Sequence, residues 1–108
     1  MTRHVLELTR VEAERVLYPA DDGDVVEGVR VTVHGPTFPQ RALVPELIVG
    51  KAEAERVSIS PDGRTIRGYF RTPPPEGGSV TVRYGNSLEG TLRDAFHRRL
   101  IRPLPKGC

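Results

Sequence analysis

The side chains that could act as nucleophiles are Ser58, Ser60, Ser79, Ser87 and Cys108, with His4, His34 and His97 as the available bases. Nucleophilic catalysis needs one of these within reach of a base that an acid orients. None sits in a nucleophile-elbow pattern. His34 closes a stretch of strand-like alternation on its polar side and reads as solvated, and His97 lies among arginines, a setting that makes it a poor acid. The sequence therefore assigns no catalytic residue. Calcium would want acids at alternating positions, a glycine turn and a bidentate glutamate. The stretch "DDGDVVEG" supplies Asp21, Asp22, Asp24 and Glu27 but misses the EF-hand spacing. It reads as an acidic turn, with a looser loop site as the alternative. "EGGS" at 76–79 lacks the lysine and helix start that cradle phosphates. The single cysteine, Cys108, excludes an intramolecular disulfide and a zinc site built from thiolates. No cofactor and no metal is expected.

Charge is the next signal. Sixteen basic residues face 14 acidic ones, a net charge of +2. The excess is uneven, because residues 93–106 carry Arg93, Arg98, Arg99, Arg102 and Lys106 against Asp94 alone. Those five are the candidate partner-binding residues. A basic run is most often a solvated face; the alternative is contact with phosphates or an acidic surface. Aromatic interleaving is lacking in this segment, which disfavours nucleic acid. There is no tryptophan, and the three tyrosines and three phenylalanines read as core residues, which disfavours an aromatic sugar platform.

The elements that must position these groups are mainly strands. A chain of 108 residues with 11 glycines and 10 prolines fits many short elements and turns better than a few long helices. It is expected to form one domain over 1–108, large enough to bury a core without staples. "VVEGVRVTVHG" alternates with period two, Val29, Val31 and Val33 on one face and Arg30, Thr32 and His34 on the other. "AERVSISPDGRTIRGYF" reads as a β-hairpin turning at Pro61-Asp62-Gly63. "HVLEL", "VEAERVLYP", "ELIVG" and "SVTVRYG" read as further strands, Val80, Val82 and Tyr84 sharing a face of the last. The segment 91–105 is ambiguous. Leu92, Ala95, Phe96 and Leu100 share a helical face and Thr91 with Asp94 resembles a capping box, which predicts a short helix over about 92–100. A final strand pairing with 79–84 is the alternative. About seven strands result, the count of an immunoglobulin-like antiparallel β-sandwich.

"VTVHGPTFP", residues 31–39, places an aromatic ring between two prolines. In a sandwich the chain leaves one sheet at such a point. Gly35 and Pro36 make the turn, Pro39 prevents further pairing, and Phe38 folds back to plug the open end of the core. Burying that ring contributes roughly 2–3 kcal/mol.

The order of these pieces resembles the IPT/TIG family of immunoglobulin-like domains. The resemblance rests on Tyr18-Pro19, on Val31-Thr32-Val33-His34-Gly35-Pro36-Thr37-Phe38, on Leu47-Ile48-Val49-Gly50-Lys51-Ala52, on "TPPPEGG" and on "SVTVRYGN". It spans about residues 11–90. The segment 39–46 is longer and richer in proline than the family pattern, and the tail has no counterpart in it. The resemblance implies an interaction or spacer module; some such domains join homodimers, sit beside DNA-binding domains or accompany carbohydrate-active enzymes. The expectation is a non-enzymatic protein-interaction or structural module, an accessory piece of a larger assembly with a protein partner or a second copy. The alternative is nucleic-acid or acidic-surface binding through the basic C-terminal segment. "MTRHVLELTR" contains no long apolar run, so neither a signal peptide nor a membrane span is expected, and a cytoplasmic location follows by default.

Overall fold

The strands run in the order β1 His4–Val5, β2 Arg10–Pro19, β3 Val25–His34, β4 Glu46–Val49, β5 Ala52–Glu53, β6 Arg56–Ile59, β7 Thr65–Phe70, β8 Val80–Tyr84, β9 Leu88–Leu92 and β10 Ile101–Arg102. These come from a computed structural model that describes residues 4–20, 22–40, 44–85 and 88–104. They form two five-stranded sheets, β1-β9-β8-β4-β5 and β10-β2-β3-β7-β6. Pairing is antiparallel except for β1 on β9 and β10 on β2, which are parallel. The fold is an all-β sandwich.

Local sequence explains the central strands. In β3 the β-branched residues Val29, Val31 and Val33 are fully buried, while Arg30 and His34 on the other face stay half-buried. In β8, Val80, Val82 and Tyr84 are buried and alternate with half-exposed Thr81 and Arg83. The β6–β7 hairpin pairs Ile59 with Ile66 and Val57 with Gly68. Its turn is held by the Asp62 carboxylate, which accepts the Ser60 hydroxyl and, at 3.0 Å, the Arg64 N–H. Period-two alternation thus delivers one apolar face per sheet, and the two faces meet in one core.

Phe38 belongs to that core and is 2% exposed. Its N–H donates to the Gly63 carbonyl at 2.6 Å, which ties the crossing segment to the β6–β7 turn. The Tyr84 hydroxyl donates to the Pro39 carbonyl at 2.7 Å from the opposite sheet. The ring lies against Gly35: a Cβ there would sit 2.5 Å from the Glu7 carbonyl oxygen and 2.7 Å from Phe38 Cζ. Only glycine lets the plug close at that point.

Three expectations need correction. The described residues contain ten strands rather than about seven, the extra ones being two-residue edge pairings. No α-helix forms over 92–100. β9 runs to Leu92, Asp94 takes a left-handed backbone (φ 51°), and only a 3-10 turn follows at Arg98–Leu100. The reason is non-local. The Phe96 N–H donates to the Gly78 carbonyl at 3.1 Å, and the Phe96 carbonyl accepts the Gly77 N–H at 2.8 Å. These bonds draw the fully buried Phe96 ring into the core cluster. Thr91 is a strand residue whose hydroxyl lies 3.0 Å from that of Thr81, so no capping box exists. The third correction concerns the aromatics: Tyr69 is only half-buried, and Tyr18, though 4% exposed, lies outside the main core cluster.

Candidate interaction surface

Register places the outward side chains of the β2-containing sheet in rows. One row runs Arg102, Glu14, Arg30, Tyr69, Arg56 across β10, β2, β3, β7 and β6. The next runs Glu12, Thr32, Arg67, Ser58. Within the strands this face carries Arg10, Arg30, Arg56, Arg67 and Arg102 against Glu12 and Glu14.

Tyr18 also points outward and is 4% exposed. Its ring centroid lies 5.2 Å from that of Tyr69 at an interplanar angle of 47°, an ordinary tilted aromatic pair. The Tyr18 hydroxyl donates to Glu55 Oε2 at 2.8 Å, and Arg71 donates to Glu55 Oε1 at 2.8 Å. Burial, and then the Glu55 carboxylate, raise the Tyr18 pKa. Gly28 makes room for this ring, because a Cβ there would sit 2.4 Å from the Phe70 carbonyl oxygen and 2.7 Å from Tyr18 Cε1.

Beside the tyrosine pair lies an open groove of about 670 Å³. Val16, Tyr69, Arg30 and Arg56 line it, with Leu17 and Val44 among its remaining walls. The last two are 62% and 60% exposed, large apolar groups left in water. Arg30 donates to the Glu14 carboxylate through one guanidinium nitrogen, while its Nε is buried with no hydrogen-bond partner among the described residues. Burial works against the Arg30 charge, but Tyr69 and Glu14 outweigh it and its pKa is raised. A guanidinium beside an aromatic ring at an open groove can donate to a ligand oxygen.

The basic C-terminal residues are dispersed. Arg93 is exposed beyond β9, Arg98 and Arg99 are exposed on the 3-10 turn, and Arg102 joins the row described above. Arg102 lines a small cavity of about 40 Å³ with Glu12 and Glu14. Lys106 lies outside the described residues. Glu76 anchors the turn: its Oε1 accepts the Arg98 backbone N–H at 2.7 Å, and its Oε2 lies 2.7 Å from His97 Nδ1. So His97 meets a carboxylate as well as arginines.

The backbone N–H of Arg98, then His97, hold the Glu76 pKa below its ordinary 4.5. A carboxylate depressed in the folded state contributes stability above its unfolded pKa, and that contribution is lost as pH falls through the folded value. Wild type should therefore melt above Glu76→Gln at neutral pH, and the two should converge as pH falls well below 4.5. Circular dichroism melts across that range check this; a constant gap would contradict the assignment.

Among the described residues the candidate nucleophiles Ser58, Ser60 and Ser79 show no hydrogen bond to a histidine. Ser58 is exposed on β6, the Ser60 hydroxyl serves Asp62, and Ser79 Oγ lies 3.4 Å from the Asp94 N–H. Ser87 and Cys108, and the side chain of His4, lie outside the described set. His34 is not simply solvated. It is half-buried, its Nε2 3.3 Å from Glu12 Oε2. That bond is the main cause of a lowered Glu12 pKa. In the acidic turn, Asp22 Oδ1 accepts the Asp24 N–H at 3.1 Å and Asp22 Oδ2 lies 3.7 Å from Arg71, while Asp21 falls outside the description. Among the described residues no three His, Cys, Asp or Glu side chains are grouped to hold a metal.

Sequence reasoning missed Tyr18, Tyr69 and Arg30. The available signal was Gly28 in the middle of a valine-rich strand, since glycine there marks a close approach. Comparison of the chain with protein-family models, with curated proteins and with solved structures finds no match.

Proposed function

We propose that this chain is a non-enzymatic protein-interaction module, an accessory piece of a larger assembly, and that it binds through the outer face of the β2-containing sheet. The observation that carries this is the groove, where exposed apolar Leu17 and Val44 adjoin a tyrosine pair and the Arg30 guanidinium. Tyrosine and arginine are the side chains enriched where interfaces carry their binding energy. The two-sheet sandwich and the Phe38 crossing support, at the level of fold, the resemblance to IPT/TIG domains as part of this proposal.

The test compares two baits in an extract of the source cells, the wild-type chain and an Arg56→Glu/Arg67→Glu variant with an unchanged melting temperature. A protein retained in stoichiometric amount by the first and lost by the second is the expected result. Identical retention by both baits would overturn the proposal.

Arg102 beside Arg10, Arg30, Arg56 and Arg67 favours a second reading, contact with a nucleic-acid backbone. Oligonucleotide anisotropy decides between the two. Phosphate binding of six to ten contacts weakens by about 10³–10⁵ between roughly 50 and 200 mM salt. A protein-interaction module leaves the oligonucleotide free at both concentrations.

A further inference from the structure

The outer face of the other sheet carries the opposite charge. Its rows run Val5, Glu89, Arg83, Glu46 and Thr91, Thr81, Ile48, Glu53. Within the strands three carboxylates stand against one guanidinium. Arg83 donates to Glu46 Oε2 at 2.6 Å, and Glu46, Glu89 and Glu53 all raise its pKa. Val5, 75% exposed in the edge strand beside Glu89, is an apolar side chain left in water on this face.

The two outer faces are thus complementary. One is basic, with an apolar-lined groove; the other is acidic, with an exposed valine. We infer that the partner seated on the groove face is a second copy of this chain, presenting its acidic face. This rests on the interaction-module reading and names its occupant. The contact is heterologous, because two different surfaces of one chain meet. A stack of any length therefore keeps one free face of each kind, one at either end, and association continues head to tail unless the rotation closes a ring. Charge complementarity sets the register and rejects like faces, while the apolar contact contributes the binding energy. Association driven in part by exposed charges weakens as salt rises, since the screening length falls from about 30 Å at 0.01 M to about 3 Å at 1 M.

Heterologous contact makes a specific demand on variants. Glu53→Lys/Glu89→Lys spoils only the acidic face, and Arg56→Glu/Arg67→Glu spoils only the basic one. All four positions are exposed, so both variants are expected to fold, which circular dichroism verifies. In sedimentation equilibrium at low salt the wild-type mass should climb with concentration beyond that of a dimer, and fall back toward the monomer at high salt. Each variant alone should stay monomeric. Mixed in equal amounts, the two should associate again, because each retains the face that the other needs and the two reversed faces also carry opposite charge. A monomeric wild type overturns the inference, as does association of either variant alone or failure of the mixture to pair. A monomeric wild type whose face retains a foreign protein in the bait experiment refutes the second copy alone, whereas identical retention by both baits refutes the module reading. Oligonucleotide binding by the basic face without self-association would also overturn the inference.

Discussion

Phe38→Ala lowers the stability of this chain by about 3–5 kcal/mol, the range for a buried phenylalanine truncated to alanine. The ring is 2% exposed, and the atoms around it are fixed from three directions. Gly35 lies under it, the Phe38 N–H is bonded to Gly63, and the next carbonyl, that of Pro39, is held by Tyr84. A site so constrained cannot collapse to fill the cavity, which places the cost in the upper part of the range. His34→Ala is the control. It lies four residues away, half-buried on the outer face beside Glu12, and a polar contact of this exposure contributes at most about 1 kcal/mol. Chemical denaturation of both variants checks the contrast; equal small losses would mean that Phe38 does not seal the core.

The second large effect concerns the C-terminal segment. Truncation after Gly90 removes the end of β9, the buried Phe96 ring and β10. Leu92 would no longer pair with Val80, and Ile101 would no longer pair with Ala13. The truncated chain is expected to be unfolded or insoluble, since the apolar surface under Phe96 would open to water. Phe96→Ala isolates the main part of this effect and should cost about 3–5 kcal/mol. Solubility and heteronuclear NMR dispersion of the two proteins provide the check. A folded, soluble truncation would show that the segment docks on something else instead of closing its own core.

How far the sequence could be read follows from the range of the interactions. β3 and the β6–β7 hairpin were legible because alternation and the Pro61-Asp62-Gly63 turn are local signals. Phe38 was legible because prolines on both sides leave it little to do except pack. The tail misled because Leu92, Ala95, Phe96 and Leu100 happen to share helical spacing. What decides its conformation is the pair of backbone bonds from Phe96 to Gly77 and Gly78, which no local pattern records. The proposed interaction surface was hidden for the same reason. Glu14, Arg30 and Tyr69 are far apart in sequence and become one row only through strand register. Of the basic residues singled out by composition, by contrast, Arg93 lies beyond β9 and Arg98 and Arg99 lie on the 3-10 turn, and among the described ones only Arg102 joins the groove face.

The central claim is that binding uses the outer sheet faces and leaves the core plugs and the C-terminal turn alone. Its most direct test is NMR of the isotope-labelled chain at low salt, with unlabelled chain added in excess. The account predicts that amide shifts move at Glu14, Arg30, Arg67 and Tyr69 on one face and at Glu46, Glu53 and Glu89 on the other. Phe38, Phe96 and Arg98 should stay still. Shifts confined to residues 93–104, with both sheet faces silent, would contradict it.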